Sequence, residues 1–181
     1  MSTPWRSYST LQGRFHPQAL DDVQVIVHDG GPRMTNHRAE IVWVRVTGVT
    51  DDVFTGTVLN QPNHLTSVSE GSEIQFIVPK SGKYPLQVSE KYLAERADWS
   101  IVPCQQCGLS ELFDAPTDLM HKIFPNAPAD GAMGMFTSFC GFCGGVQIIR
   151  NKALGASPNS QQSPKHNKPS EKKKWWRFWG D

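Results

Sequence analysis

Four cysteines are the only cysteines of the chain, and they form two pairs of identical spacing, Cys104-Gln105-Gln106-Cys107 and Cys140-Gly141-Phe142-Cys143. Four thiolates in two C-x-x-C turns can close a tetrahedron around one zinc ion, leaving no open position, so such a site builds structure and does not itself catalyse. Glycine follows each pair, as Gly108 and Gly144-Gly145, where a tight turn needs positive φ. In that turn the backbone N–H groups face the sulfurs and spread their negative charge. Cys104, Cys107, Cys140 and Cys143 are therefore read as the ligands of one structural Zn2+. Two other chemistries use the same residues. A redox C-x-x-C opens a helix in a βαβ setting, but helical periodicity follows neither pair here. An iron centre shares the spacing. A thiol-redox or metal-dependent enzyme thus stands as the alternative to a non-catalytic zinc protein.

Little else in the chain has the makings of catalysis. Lys80-Ser81-Gly82-Lys83-Tyr84 resembles a phosphate loop only in outline. Ile77 stands where the first glycine of GxxxxGK[ST] belongs, and Tyr84 where Ser or Thr belongs. His16, His28, His37, His64, His121 and His166 form no HxxxH or HExxH arrangement and are read as surface or strand-end residues. No G-x-S-x-G elbow occurs, and no cysteine is left over as a nucleophile. Asp21-Asp22 and Asp51-Asp52 are read as turn residues beside strands. Met120, Met133 and Met135 are read as core.

Positioning the cysteines falls to a β-rich context. Val23, Val25 and Val27 alternate along one run; Ile41 to Val46 forms a second, Phe54 to Leu59 a third, and Ile74, Phe76 and Val78 share a face of another. Gly, Pro and Asp punctuate these runs, the pattern of antiparallel sheet. The fold class is mainly β (α+β), a small twisted antiparallel sheet or open barrel. A helix is predicted at Ser89 to Ala97, with Ser89 as N-cap and Tyr92, Leu93 and Ala97 facing inward. A second is predicted from Pro116 to Phe124, inside the 32 residues that separate Cys107 from Cys140. Trp99 to Val102 leads into the first pair as a strand. Met135 to Phe139 and Val146 to Ile149 make a hairpin around the second, giving a zinc-ribbon-like module. The predicted organisation is a lead-in over 1–20, a β-rich domain over 21–100, the zinc module over 101–150, a linker over 151–170 and a tail over 171–181.

The middle segment carries Trp43-Val44-Arg45-Val46-Thr47, then Phe54-Thr55-Gly56-Thr57-Val58-Leu59-Asn60-Gln61-Pro62. Leu65, Val68, Glu70-Gly71-Ser72-Glu73-Ile74-Gln75-Phe76 and Asp98-Trp99 follow. These residues resemble a bacterial family catalogued as domain of unknown function 2314. Its pattern is a Trp-containing strand, G-x-L-x-N-x-P, a G-[DS]-x-[VI]-x-F strand and a terminal DW. Leu59 stands one place later than that pattern has it. The resemblance covers roughly residues 21–103 and implies a small bacterial β domain with no assigned activity. Gly56 and Asn60-Gln61-Pro62 read as turn or bulge chemistry, and Trp43 as a core or rim aromatic.

Charge is unevenly placed. Residues 1–150 hold 11 Lys and Arg against 15 Asp and Glu, and residues 151–181 hold 7 against 2. An acidic body lacks the basic face that phosphate neutralisation requires, so nucleic-acid binding is not expected of it; only the basic tail offers that route. Composition marks 153–170 as a linker. The end then reads Lys172-Lys173-Lys174-Trp175-Trp176-Arg177-Phe178-Trp179, with three of the chain's six tryptophans. Tryptophan favours the headgroup region, and each basic residue adds about 1 kcal/mol at an anionic leaflet. The tail is therefore expected to anchor the protein at a membrane surface or dock on a protein partner. No secretory leader or 20-residue apolar span is visible, and thiols at metal spacing suit a reducing compartment. The expected protein is cytoplasmic, peripheral at the inner face of the membrane, and an interaction, accessory or immunity-type module.

Overall fold

The computed structural model describes residues 3–126 and 133–154; the predicted linker from 155 on and the tail over Lys172 to Trp179 lie outside the described residues, whereas the linker's expected first residue, Asn151, is the last of a strand. Nine strands and two helices follow in the order β1 (Phe15–His16), β2 (Ala19–Val27), β3 (Glu40–Thr50), β4 (Val53–Val58), β5 (Glu73–Ile77), β6 (Leu86–Gln87), α1 (Glu90–Glu95), β7 (Trp99–Val102), α2 (Pro116–Ile123), β8 (Met135–Phe139) and β9 (Val146–Asn151). The class is mainly β, as the alternation implied.

The first six strands form one sheet in sequence order, and β6 returns to pair with β2. That contact is parallel, at Ile26 and Leu86, whereas the other pairings are antiparallel. The ring β2-β3-β4-β5-β6 is thereby closed, so the barrel has no open edge there. One edge of β2 serves two neighbours: β1 pairs along its first half and β6 at its end. Val23, Val25, Val27, Val42, Val44, Val46, Phe54, Val58, Ile74 and Phe76 fill the interior. Leu11, from the lead-in, is fully buried among them. The lead-in thus contributes a core residue and a strand.

Local chemistry explains several joints. Asp51 and Asp52 join β3 to β4 with φ of 47° and 66°, the two positive values of a tight two-residue hairpin. Gly56 is not a turn residue but sits mid-strand in β4, opposite Val46 and Ile74. A Cβ there would lie 2.5 Å from Val44 Cγ1 and 2.7 Å from the Arg45 carbonyl oxygen. The strand register also shifts between Val46 and Gly48 opposite it. Asp21 and Asp22 lie within β2, not in a turn. Asp22 pairs directly across the sheet with Arg45 at 2.9 Å, and Asp21 bonds to Arg6 at 2.6 Å. Trp43 is a rim aromatic, its ring edge-on to His16 at 5.1 Å.

A second core sits outside the barrel, between it and the cysteine module. Ile26, Ile77 and Leu86 face it from the barrel, with Tyr92, Trp99, Leu112, Phe113, Leu119, Phe136 and Ile149 from beyond. Helix α1 begins where Ser89 Oγ accepts the Tyr92 N–H at 3.1 Å. It ends in a tighter turn at Arg96–Asp98, which leaves Ala97 exposed where an inward position was expected. Ala115 has no side-chain oxygen to cap α2. The Glu95 carboxylate does this instead, accepting the Thr117 N–H at 3.0 Å and its hydroxyl at 2.6 Å. Met120 is buried, whereas Met135 is 58% exposed and is no part of the core.

Candidate metal centre

Strand β7 delivers the first cysteine pair, and the β8–β9 hairpin carries the second at its tip. The three strands form one sheet in the order β7-β9-β8. Register places Val102 opposite Ile148 and Phe139 opposite Val146, so both turns emerge at the same end of the sheet.

The two turns have the same build. The Gly108 N–H donates to the Cys104 carbonyl at 2.8 Å, and the Gly144 N–H to the Cys140 carbonyl at 2.9 Å. Each turn is closed by a cysteine N–H, from Cys104 to the Leu109 carbonyl and from Cys140 to the Gly145 carbonyl. Gly108 and Gly144 have φ of 75° and 78°, a conformation open to glycine at little cost. Backbone N–H groups point at the sulfurs. Those of Gln106 and Cys107 reach Cys104, those of Phe142 and Cys143 reach Cys140, and Leu109 supplies Cys107. The Gly145 N–H lies 3.4 Å from Cys143 Sγ.

All four sulfurs lie within 4.8 Å of one another. Sulfur contacts cross between the turns, 3.4 Å for Cys104 with Cys143 and 3.6 Å for Cys107 with Cys140. A tetrahedron of sulfurs about 2.3 Å from zinc has edges of about 3.8 Å. The donor set, its spacing and its N–H cradle fit a four-thiolate ion. The sequence-derived ligand residues are thus brought together by two elements separated by α2. Neither C-x-x-C opens a helix, and sulfurs of different pairs are in contact. A thioredoxin-like arrangement has neither feature.

Burial differs among the ligands. Cys104 and Cys140 are buried, Cys107 is partly covered and Cys143 is exposed. As thiols, Cys140 and Cys107 are held above the ordinary range chiefly by burial. Cys104 is also opposed by burial, but the N–H groups of Cys107 and Gln106 and the adjoining thiols draw it down to about 7. A zinc ion, when bound, supplies the charge that holds all four as thiolates. Four thiolates and one Zn2+ leave two negative charges, and His37 and Arg38 line the cavity of about 540 Å3 beside Cys140–Gly144.

The surrounding shell fixes the turns. Gly145 lies so close to the site that a Cβ would stand 2.7 Å from Cys104 Sγ. At Gly141 a Cβ would fall 2.3 Å from the Phe113 ring. Phe113 in turn stacks on His28 at 4.1 Å and 13°. His28 follows the end of β2 as expected, yet it is buried. Its Nδ1 accepts the Gly30 N–H at 3.0 Å, and its Nε2 faces the Gln87 carbonyl at 3.0 Å. The ring is thus a neutral Nε2–H tautomer, and burial lowers its pKa to about 4. Only its place beside the apolar run could have hinted at this.

The buried Glu111 was equally hidden in the sequence. It accepts the Tyr92 hydroxyl and the Arg96 guanidinium, the latter at 3.0 Å. Gln147 donates to the Leu109 and Glu111 carbonyls at 2.9 and 3.1 Å. It thereby ties β9 to the loop after the first turn. His121 is exposed on α2 and stands outside the sulfur cluster.

Fold and site together define a closed β-barrel joined through a second core to a sheet that carries two cysteine turns. No protein-family model matches the chain, and neither a curated protein nor a solved structure matches it. No helix among the described residues is long and apolar enough to cross a membrane.

Proposed function

We propose that this is a non-catalytic zinc protein whose ion is structural and whose body serves as a protein-interaction module of the accessory or immunity type. The observation that carries the reading is the convergence of four cysteine sulfurs, from two turns of the same build, within 4.8 Å. A complete thiolate shell leaves no site for a reacting group, so the ion acts through the structure it holds. An exposed apolar surface on the same hairpin supports the interaction role. Met135, Phe139, Phe142 and Val146 are 58%, 48%, 38% and 52% exposed. Phe139 and Val146 are paired across the strands, and solvent-facing apolar residues grouped in this way mark contact surfaces.

The tail completes the proposal. Lys172, Lys173, Lys174 and Arg177 interleave with Trp175, Trp176, Phe178 and Trp179, a composition suited to reversible adsorption on an anionic membrane surface. The protein would thus work in the cytoplasm with its body tethered at the membrane.

Two measurements test these parts separately. Metal analysis of protein purified under reducing conditions is expected to give one zinc per chain, with thiols unreactive until a chelator is added. A folded, metal-free protein cycling through a disulfide establishes the redox alternative. Sedimentation with phosphatidylserine vesicles should retain the full chain and lose a chain ending at Leu154. Equal behaviour of the two removes the anchor.

A further inference from the structure

We propose that a cationic cavity at the seam between barrel and zinc module is a binding site for a doubly charged anion, a phosphate monoester or a dicarboxylate. The cavity has a volume of about 440 Å3, within the range of small-molecule sites. Lys80 reaches it from the segment after β5, Arg96 from the turn after α1, and Lys152 from beyond β9. Ser100 of β7 adds a hydroxyl and Trp99 an apolar wall; Ser110 also lines the cavity, its own hydroxyl donating to the Ser81 carbonyl at 3.2 Å.

Charge sets this place apart. The described residues carry 12 Lys and Arg against 14 Asp and Glu, a slight acidic excess. The cavity lining reverses that sign with three cations and one carboxylate, Glu111. Glu111 is already committed: it is buried and accepts both the Tyr92 hydroxyl and Arg96 Nη2. It therefore acts as the positioning residue behind Arg96, holding one corner of the guanidinium and leaving its remaining N–H groups for a ligand. Lys80 and Lys152 have no carboxylate within ion-pair distance among the described residues. Lys152 spends one of its three donors on the Ala97 carbonyl at 2.6 Å, which fixes the ammonium at the cavity wall. Arg150 stands opposite Ser100 in the β7–β9 pairing, so a fourth cation shares the face on which Ser100 opens. A preorganised guanidinium with two further ammonium groups and the Ser100 hydroxyl has the chemistry to hold a dianion, and Trp99 the surface to cover an apolar stem.

The proposal does not depend on the protein's role at a membrane or with a partner. Its test is a titration of the full, zinc-loaded chain followed by amide NMR, with sodium chloride holding ionic strength constant. Separate arms use inorganic phosphate, glycerol phosphate and succinate. Saturable shifts at Ser100, Ile101, Ser110 and Glu111 are expected, and the arm that saturates at the lowest concentration identifies the anion class. The double variant Lys80→Gln/Lys152→Gln, which leaves the Arg96–Glu111 pair intact, should weaken binding at least about tenfold while other resonances keep their positions. The proposal is overturned if no anion saturates below about 10 mM, if shifts map only to Lys172–Lys174, or if the double variant binds as well as the native chain.

Discussion

Gly144 and Gly145 are neighbours with different duties. Gly144 has positive φ and open space around its missing Cβ, while a Cβ at Gly145 would press on Cys104 Sγ at 2.7 Å. Gly144→Ala should therefore cost about 1 kcal/mol of backbone strain with little change in metal affinity. Gly145→Ala should weaken zinc binding about tenfold or more, because the first ligand must move. Competition with a chromophoric chelator separates the two. His28 makes a second residue-scale prediction. Burial holds its folded pKa near 4 against an ordinary 6.5, so the unfolded chain binds the extra proton first as pH falls. Stability from this group is complete above about pH 6.5 and is lost toward pH 4. Between pH 7 and pH 5 the loss is about 2 kcal/mol. His28→Phe should lack that component, so urea midpoints of variant and native chain should draw together on acidification.

Helix α2 and the β3–β4 hairpin show how elements borrow or lack their ends. Glu95 caps α2 from another helix through Thr117. Glu95→Ala should cost about 1 kcal/mol, since no local side chain replaces it, and the denaturant midpoint reports the loss. The hairpin has the opposite margin. Both Asp51 and Asp52 hold positive φ, which Asn and Gly adopt at lower cost. Asp51→Asn/Asp52→Gly should stabilise the protein by about 0.5 kcal/mol, read from the same midpoint. Within β4, Gly56→Ala should cost about 2 kcal/mol or more, because its Cβ meets backbone on one side and Val44 on the other.

At the scale of the molecule, two cores divide the work. The barrel interior is filled by its own strands and the lead-in. The second core includes Cys104 and Cys140 alongside Trp99, Phe113, Phe136 and Ile149. Zinc removal should therefore be felt unequally. Chelation is expected to abolish hydrogen-exchange protection in β7, β8 and β9 while amides of β3 and β4 stay protected. Simultaneous loss in both regions would mean that the barrel cannot stand without the metal-bearing sheet.

The cysteine cluster, the two hairpins, the positions of both helices and the strand-forming valines follow from residue type and spacing, because each obeys a rule that acts over a few neighbours. Thiolate pairs, glycine after a turn, period-two alternation and a serine N-cap are local facts. What required the folded chain is of longer range. Closure of the barrel depends on a short parallel pairing between β6 and β2, 60 residues apart at Ile26 and Leu86. The lead-in has no strong pattern, yet Leu11 is drawn into the barrel. Gly56 reads as turn or bulge chemistry, and only the placing of Val44 and Arg45 beside it shows a mid-strand position opposite a register shift. Met135 looks like core until its register on β8 turns it outward. His28, Glu111 and the cationic cavity are assembled from segments far apart in the chain, whose individual residues are ordinary polar positions. Spacing along a chain specifies chemistry within one turn; burial and the sign of a local field arise only when distant turns meet.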